Sequence, residues 1–238
     1  MKTMKIMKAI KKIIISLLTA IIVVCSLMIA DGYSLYKKTV GETDIAETIS
    51  SIVDSDGFVG IDDLPDHYIN AVIAVEDERF YAHGAVDALS IGRAIVINLK
   101  DGKATEGGST ITQQIAKNLF FTQKKELQRK IAEVFAAIEL ESRYSKAELL
   151  EIYVNTIYFG SGFYGIRQAS IGYFGKEPAE LSPAETSLLA GIPNAPSVYD
   201  LNRNPELACQ RQVQVITKMV ECGYLTQTEG EELVELQG

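Results

Sequence analysis

The sequence predicts a mainly α-helical domain carried behind one apolar, membrane-spanning helix. Apolar residues recur at helical spacing along most of the chain, capping boxes mark several helix starts, and residues 13–30 carry no charge. No alternating apolar–polar run of useful length argues for a sheet.

The N-terminus sets the frame. Lys2, Lys5, Lys8, Lys11 and Lys12 precede the uncharged run from Ile13 to Ala30, and Asp31 follows it. At about 1.5 Å per residue the run covers roughly 27 Å, near a bilayer's hydrocarbon thickness. Residues 1–12 therefore read as a basic cytoplasmic tail and 13–30 as an uncleaved single-pass anchor, with the remainder extracytoplasmic. A signal peptide is the alternative, but its apolar core is usually only about 7–15 residues.

Beyond the anchor the chain has 18 basic and 31 acidic residues, a net charge of −13. A surface that acidic excludes nucleic acid as a partner class. Cys209 and Cys222 are expected on one helix, starting near Asn204-Pro205 and stopping at Gly223. There they would lie roughly 20 Å apart, too far for a disulfide. With His67 and His83 as the two histidines and no His/Cys cluster, a zinc site is not indicated.

Residues 31–60 read as a polar connector with weak order signals, and 61–238 as the domain. Pro65 opens a helix whose stripe, Ile69, Val72 and Ile73, brings Glu76 into register. Ala88–Leu99 repeats the pattern with Leu89, Ile91, Ile95, Val96 and Leu99, and Ile111–Leu119 is again helical. Capping boxes start helices at Ser145, Ser182 and Thr226, and Gly191 ends the short helix begun at Ser182.

Four constellations could carry chemistry. Glu76 can be a partly desolvated general base or a surface acid in a salt bridge. Asp77 and His83 beside it suit local bracing. In Arg129–Ala137, Ile131, Val134, Phe135 and Ile138 form one stripe, with Arg129, Lys130, Glu133 and Ala137 opposite. That second face is either solvated or meets a ligand that Ala137 admits. Gly107–Gln114 offers hydroxyls and amides suited to sugars or phosphates, or a helix cap at Ser109 or Thr110; Lys117 lies one turn past Gln113. Leu119-Phe120-Phe121, followed by Lys124 and Lys125, is either core or an aromatic wedge for a lipid leaflet.

Together these blocks resemble the peptidoglycan glycosyltransferases, glycosyltransferase family 51, in the monofunctional members and the N-terminal domain of class A penicillin-binding proteins. Glu76-Asp77-x-x-Phe80-x-x-His83 resembles the first family block and Gly107–Gln114 the second. Arg129-Lys130-x-x-Glu133-x-x-x-Ala137-x-x-Leu140-Glu141 resembles the third. Glu151-x-Tyr153-x-Asn155-x-x-Tyr158-Phe159-Gly160-x-Gly162-x-x-Gly165 resembles the fourth. Tyr173–Lys176, Leu188–Gly191 and Pro193-x-x-Pro196 resemble the fifth, so the likeness covers about residues 60–200. One departure is His83-Gly84-Ala85, where the family places glycine at the position of Ala85.

The resemblance implies a lysozyme-like glycosyltransferase fold with a small membrane-facing jaw, roughly residues 100–128. It implies polymerisation of lipid II into β-1,4 glycan strands with inversion and release of undecaprenyl pyrophosphate. Glu76 would be the general base and Glu133 the second essential acid. Arg93, Lys117, Arg129 and Lys130 would hold donor phosphates, and Ser109, Thr110, Gln113 and Gln114 would contact substrate. A divalent cation, Mg or Mn, would support some members. Expected partners are lipid II, the growing strand, the membrane, and cell-wall synthesis or division proteins. The 42 residues after Pro196 are too few for a transpeptidase domain, so a monofunctional enzyme is expected. The alternatives are a lysozyme-type hydrolase and a non-catalytic lipid II-binding scaffold.

Overall fold

The computed structural model describes residues 2–102, 107–121 and 127–235. Lys124 and Lys125 and parts of the expected jaw lie outside them. Among the described residues the fold is helical throughout, with one isolated antiparallel bridge, Tyr158 to Tyr164.

Helix α1, Lys2–Gly41, contains the segment Ile10–Gly41, whose most apolar stretch of 18 residues has a mean hydropathy of 2.9. At 40 residues it is about 60 Å long, roughly twice a bilayer's hydrocarbon core. Its C-terminal end packs on α6, Leu127–Arg143, in the most extensive helix–helix contact among the described residues. Gly32 permits the approach, since a Cβ there would stand 2.4 Å from Ile131 Cγ2. Tyr33 meets Phe135 edge-on at 5.1 Å, and the Tyr36 hydroxyl donates to Glu139.

The weak order expected for the connector is corrected here. The anchor helix runs on to Gly41, and α2, Ile45–Val53, follows, its N-terminus capped by Asp44 accepting from Ala46 N at 2.9 Å. Tyr36, Val40, Ile45 and Ile49 are buried in the main core. Their spacing of four, five and four residues is too sparse among polar neighbours to signal a helix, and it gains meaning only against the surface of α6 and α7, Lys146–Thr156.

The core is built around α3, Asp66–Glu76, which packs on α9, Pro183–Gly191, and α10, Pro205–Glu221. Next to it α5, Ile111–Phe120, packs on α6 and α7. Ile111, Ile115, Leu140, Leu149 and Leu150 fill the space between them. Pro65 caps α3 rather than standing at its first helical position. The capping boxes at Ser145, Ser182 and Thr226 form as expected, the last starting α11, Gln227–Glu235. Both cysteines beyond the anchor lie on or at the end of α10 and are free thiols.

Two faces differ from expectation. On α6 the buried face is Ala132, Glu133, Ala136, Ala137 and Leu140, because small residues let α5 approach closely. Ile138 is exposed, while Phe135 turns to the anchor; Ala137 is buried and admits no ligand. On α4, Ala88–Asp101, the apolar stripe faces outward: Leu89, Ile95, Val96 and Leu99 are exposed, Leu99 by 78%. The aromatic cluster is core instead, with Phe120 buried and Leu119 and Phe121 packed against it. Helical periodicity reports that one face is apolar, not what covers it.

The fourth block is largely structural. Glu151 accepts from Ile61 N at 2.8 Å, and Asn155 exchanges bonds with both backbone groups of Val59. Gly165, at φ +79, starts α8, Ile166–Phe174, where a Cβ would sit 2.5 Å from Asn155 O.

Candidate active site

Glu76 is the last residue of α3, placed at the wall of a cavity of about 420 Å³. Gln114 Nε2, on α5, donates to Glu76 Oε2 at 2.7 Å; Oε1 is buried without a hydrogen-bond partner. Burial pushes the carboxyl above the usual carboxylate range. The Gln114 bond and the charges of Arg211 and Lys117 draw it back, and Asp77 pushes it further up. Glu76 is therefore an acid tuned upward at a cavity wall, not a solvated surface carboxylate.

Asp77 and His83 brace the site. Asp77 Oδ2 accepts from Ile111 N at 3.0 Å, tying the end of α3 to the start of α5. Its Oδ1 lies 2.7 Å from His83 Nε2, while His83 Nδ1 lies 2.6 Å from Gly84 O. Net burial raises the Asp77 carboxyl despite these bonds. Ala85, at the position of the family glycine, is buried and lacks the positive φ that would demand glycine. Its carbonyl accepts from Thr110 Oγ1 at 2.9 Å and Gln113 Nε2 at 3.2 Å.

Those two bonds revise the reading of the 107–114 segment. Thr110 caps α5 by accepting from Gln113 N, and both side chains are spent inside the protein. Gln114 is turned to Glu76. Ser109 alone of the four expected substrate contacts keeps its side chain on a site cation, accepting from Lys130 Nζ at 2.7 Å.

Glu133 is fully buried, at 0% exposure. Arg129 binds its Oε1, and Lys130 Nζ lies 3.0 Å from Oε2. The third block is thus a buried acid holding two cations. Lys117, on the facing helix, is within electrostatic reach of Glu133, Arg129, Lys130 and Glu76. Burial lowers its ammonium, Glu133 restores part of this, and the two neighbouring cations lower it again. Three cations thus gather around one acid beside Glu76. Such an excess stabilises an anion that arrives or develops there. Arg93, half-exposed on α4, pairs with Glu78 at the cavity wall.

The opposite wall was not legible in the sequence. Asn194, Arg211, Gln214 and Thr217 line the cavity from α10 and the turn that follows α9. Arg211 Nη1 donates to Gln214 Oε1 at 2.8 Å, and its Nε is buried without a partner. Polar residues three or four apart on a helix look like any solvated face, so spacing gave no signal.

Among the described residues, the cluster whose ligand atoms converge is already bonded to other protein groups. Asp77, His83 and Asp87 bring ligand atoms within 4.8 Å of one another, yet each is engaged. Asp87 caps α4, accepts from Ser90 and pairs with Arg79 at 3.0 Å; Asp77 holds Ile111 N; and His83 Nδ1 is turned to Gly84 O. Both Glu133 oxygens face cations.

The site is thus a desolvated carboxylate beside a cluster of cations, in a helical domain that follows an apolar helix. The "Transglycosylase" family model matches residues 44–220, and the chain belongs to that family. It is 46% identical over 177 residues to penicillin-binding protein 1A of Aquifex aeolicus, covering 74% of this chain and 24% of that protein. A protein of Cupriavidus necator provisionally named a transglycosylase is 42% identical, covering 72% of this chain and 74% of the relative. The chain spans about a quarter of the length of the penicillin-binding proteins it matches. A solved structure of penicillin-binding protein 1A from Haemophilus influenzae aligns at 20% identity over 74% of this chain and 17% of its own, with a TM-score of 0.43.

Proposed function

We propose that this domain is a membrane-anchored peptidoglycan glycosyltransferase that polymerises lipid II, with Glu76 as general base. The carrying observation is the Glu76 carboxyl, desolvated at the cavity wall and raised toward the range of a useful base. Glu76 takes the proton from the 4-hydroxyl of the acceptor's N-acetylglucosamine. That oxygen forms the new bond to the anomeric carbon of the donor's N-acetylmuramic acid from the face opposite the leaving group, inverting α to β. The bond to undecaprenyl pyrophosphate breaks, and its electron pair leaves with the phosphate.

Charge then builds on the leaving oxygen, where Lys117, Arg129 and Lys130 are worth most. Glu133, with both oxygens held by cations, serves the leaving group by fixing those cations. This also separates the reading from a lysozyme-type hydrolase, which needs its second carboxyl free to act on the sugar. The exposed apolar row of α4 and the apolar helix α1 support an enzyme whose substrate keeps its lipid tail in the bilayer, with the domain on the extracytoplasmic side. No step is assigned to a divalent cation.

The test is incubation of the full-length protein in detergent with labelled lipid II, with products separated on a gel before and after muramidase. A muramidase-sensitive ladder, absent for Glu76→Gln, is expected. No ladder while lipid II still binds would replace the enzyme with a scaffold.

A further inference from the structure

On its buried side Glu76 meets two phenols that the proposed reaction does not use. Tyr153 of α7 and Tyr68 of α3 are both fully buried. The Tyr153 hydroxyl lies 3.5 Å from Gln114 Oε1 and donates to it. Gln114 in turn donates from Nε2 to Glu76 Oε2. An amide side chain has one donating and one accepting end, and their order is set by what each end meets. A hydroxyl at the oxygen end leaves the NH₂ end for the carboxylate. Packing alone needs no oxygen here, because a phenylalanine ring fills the same space without a buried polar group.

We infer that Tyr153 is a positioning residue for Glu76: its hydroxyl, bonded to the Gln114 amide oxygen, orients the amide toward Glu76 and so holds the base in place. This rests on the reading of Glu76 as general base. Other groups act on Glu76 from each packed element: Asp77 and Tyr68 from α3, Lys117 from α5 and Arg211 from α10. All of them stay in place when only the Tyr153 hydroxyl is removed.

Tyr153→Phe in the full-length protein removes that one oxygen. Without it the Gln114 amide is no longer held with its NH₂ end on the carboxylate, and weakening that donor makes Glu76 harder to ionise. The acid limb of the kcat–pH profile is expected to move up by about one pH unit. On the acid limb kcat falls about tenfold at fixed pH, with KM for lipid II within about twofold. A purely structural role would lower Tm and scale kcat evenly, leaving the limb where it was; that outcome overturns the inference.

Gln114→Leu carries the same test if Tyr153→Phe does not fold. In the double variant the shift should equal that of Gln114→Leu alone, because the two residues act through one chain; independent shifts that add would refute the relay. Glu76→Gln keeps the two claims apart. If it retains wild-type activity, the base assignment fails. If it is inactive and Tyr153→Phe keeps the wild-type limb, only the positioning role fails.

Discussion

Gly32→Ala probes the contact through which the anchor supports the site. The added Cβ would stand 2.4 Å from Ile131 Cγ2 and 2.6 Å from Ile131 Cβ, with Gln128 O at 3.2 Å. A rotamer change cannot clear Ile131 Cβ, and β-branched side chains are stiff in helices. Helices α1 and α6 must therefore separate by about 1 Å to reach ordinary van der Waals contact. Alanine in a helix interior gains about 1 kcal/mol over glycine. Overpacking costs about 1–3 kcal/mol, so the net loss is about 1 kcal/mol. For a chain of this size that lowers Tm by roughly 2–4 °C. The effect should reach the site, since α6 carries Arg129, Lys130 and Glu133. The assay is thermal unfolding of the detergent-solubilised protein beside lipid II turnover, with Gly32→Ala/Ile131→Ala as the relieving pair. A stabilised single variant, or a double variant more damaged than the sum of the singles, would refute the close-packing argument.

Glu76→Gln should raise Tm at pH 7.5 while abolishing turnover. Burial lifts the folded carboxyl above its unfolded value, so its ionised form opposes folding above that raised value and ceases to do so as pH falls through it. The Tm gain should therefore shrink toward pH 5, and a gain that grows on acidification would contradict the sign. Thr110→Val removes the α5 cap and the bond to Ala85 O, a loss of about 1–2 kcal/mol, or roughly 3–6 °C in Tm. Unchanged Tm with a raised KM would return Thr110 to the substrate, as the family resemblance implies. Lys117→Ala should lower kcat/KM for the lipid donor roughly tenfold or more, read from initial rates across donor concentration, and rates equal to wild type would remove it from the phosphate site.

Much of the site could be read from residue order alone. Glu76 falls in register on its helix, and Arg129, Lys130 and Glu133 share a helix face by spacing, so their proximity needs no tertiary contact. Spacing could not say that this face is the buried one; the alanines of α6 decide that by admitting α5. The hydroxyl- and amide-rich segment was harder still. Thr110, Gln113 and Gln114 can bond sugars or protein equally well, and only the position of the Ala85 carbonyl and the Glu76 carboxylate fixes the choice.

By itself the sequence determined the local events: an uncharged run long enough to span a bilayer, helix starts set by capping boxes, acids and cations placed on shared faces. These depend on residues within a few positions of each other, where chain connectivity sets the geometry. Tertiary structure alone decided which apolar faces are covered, so that α4 presents its stripe outward while Phe120 is core and residues 36–49 become part of the domain. It also closed the cavity with Arg211 and Gln214, more than 130 residues from Glu76 in the chain. Burial and distant approach are properties of the assembled surfaces, and no local pattern encodes which surfaces meet.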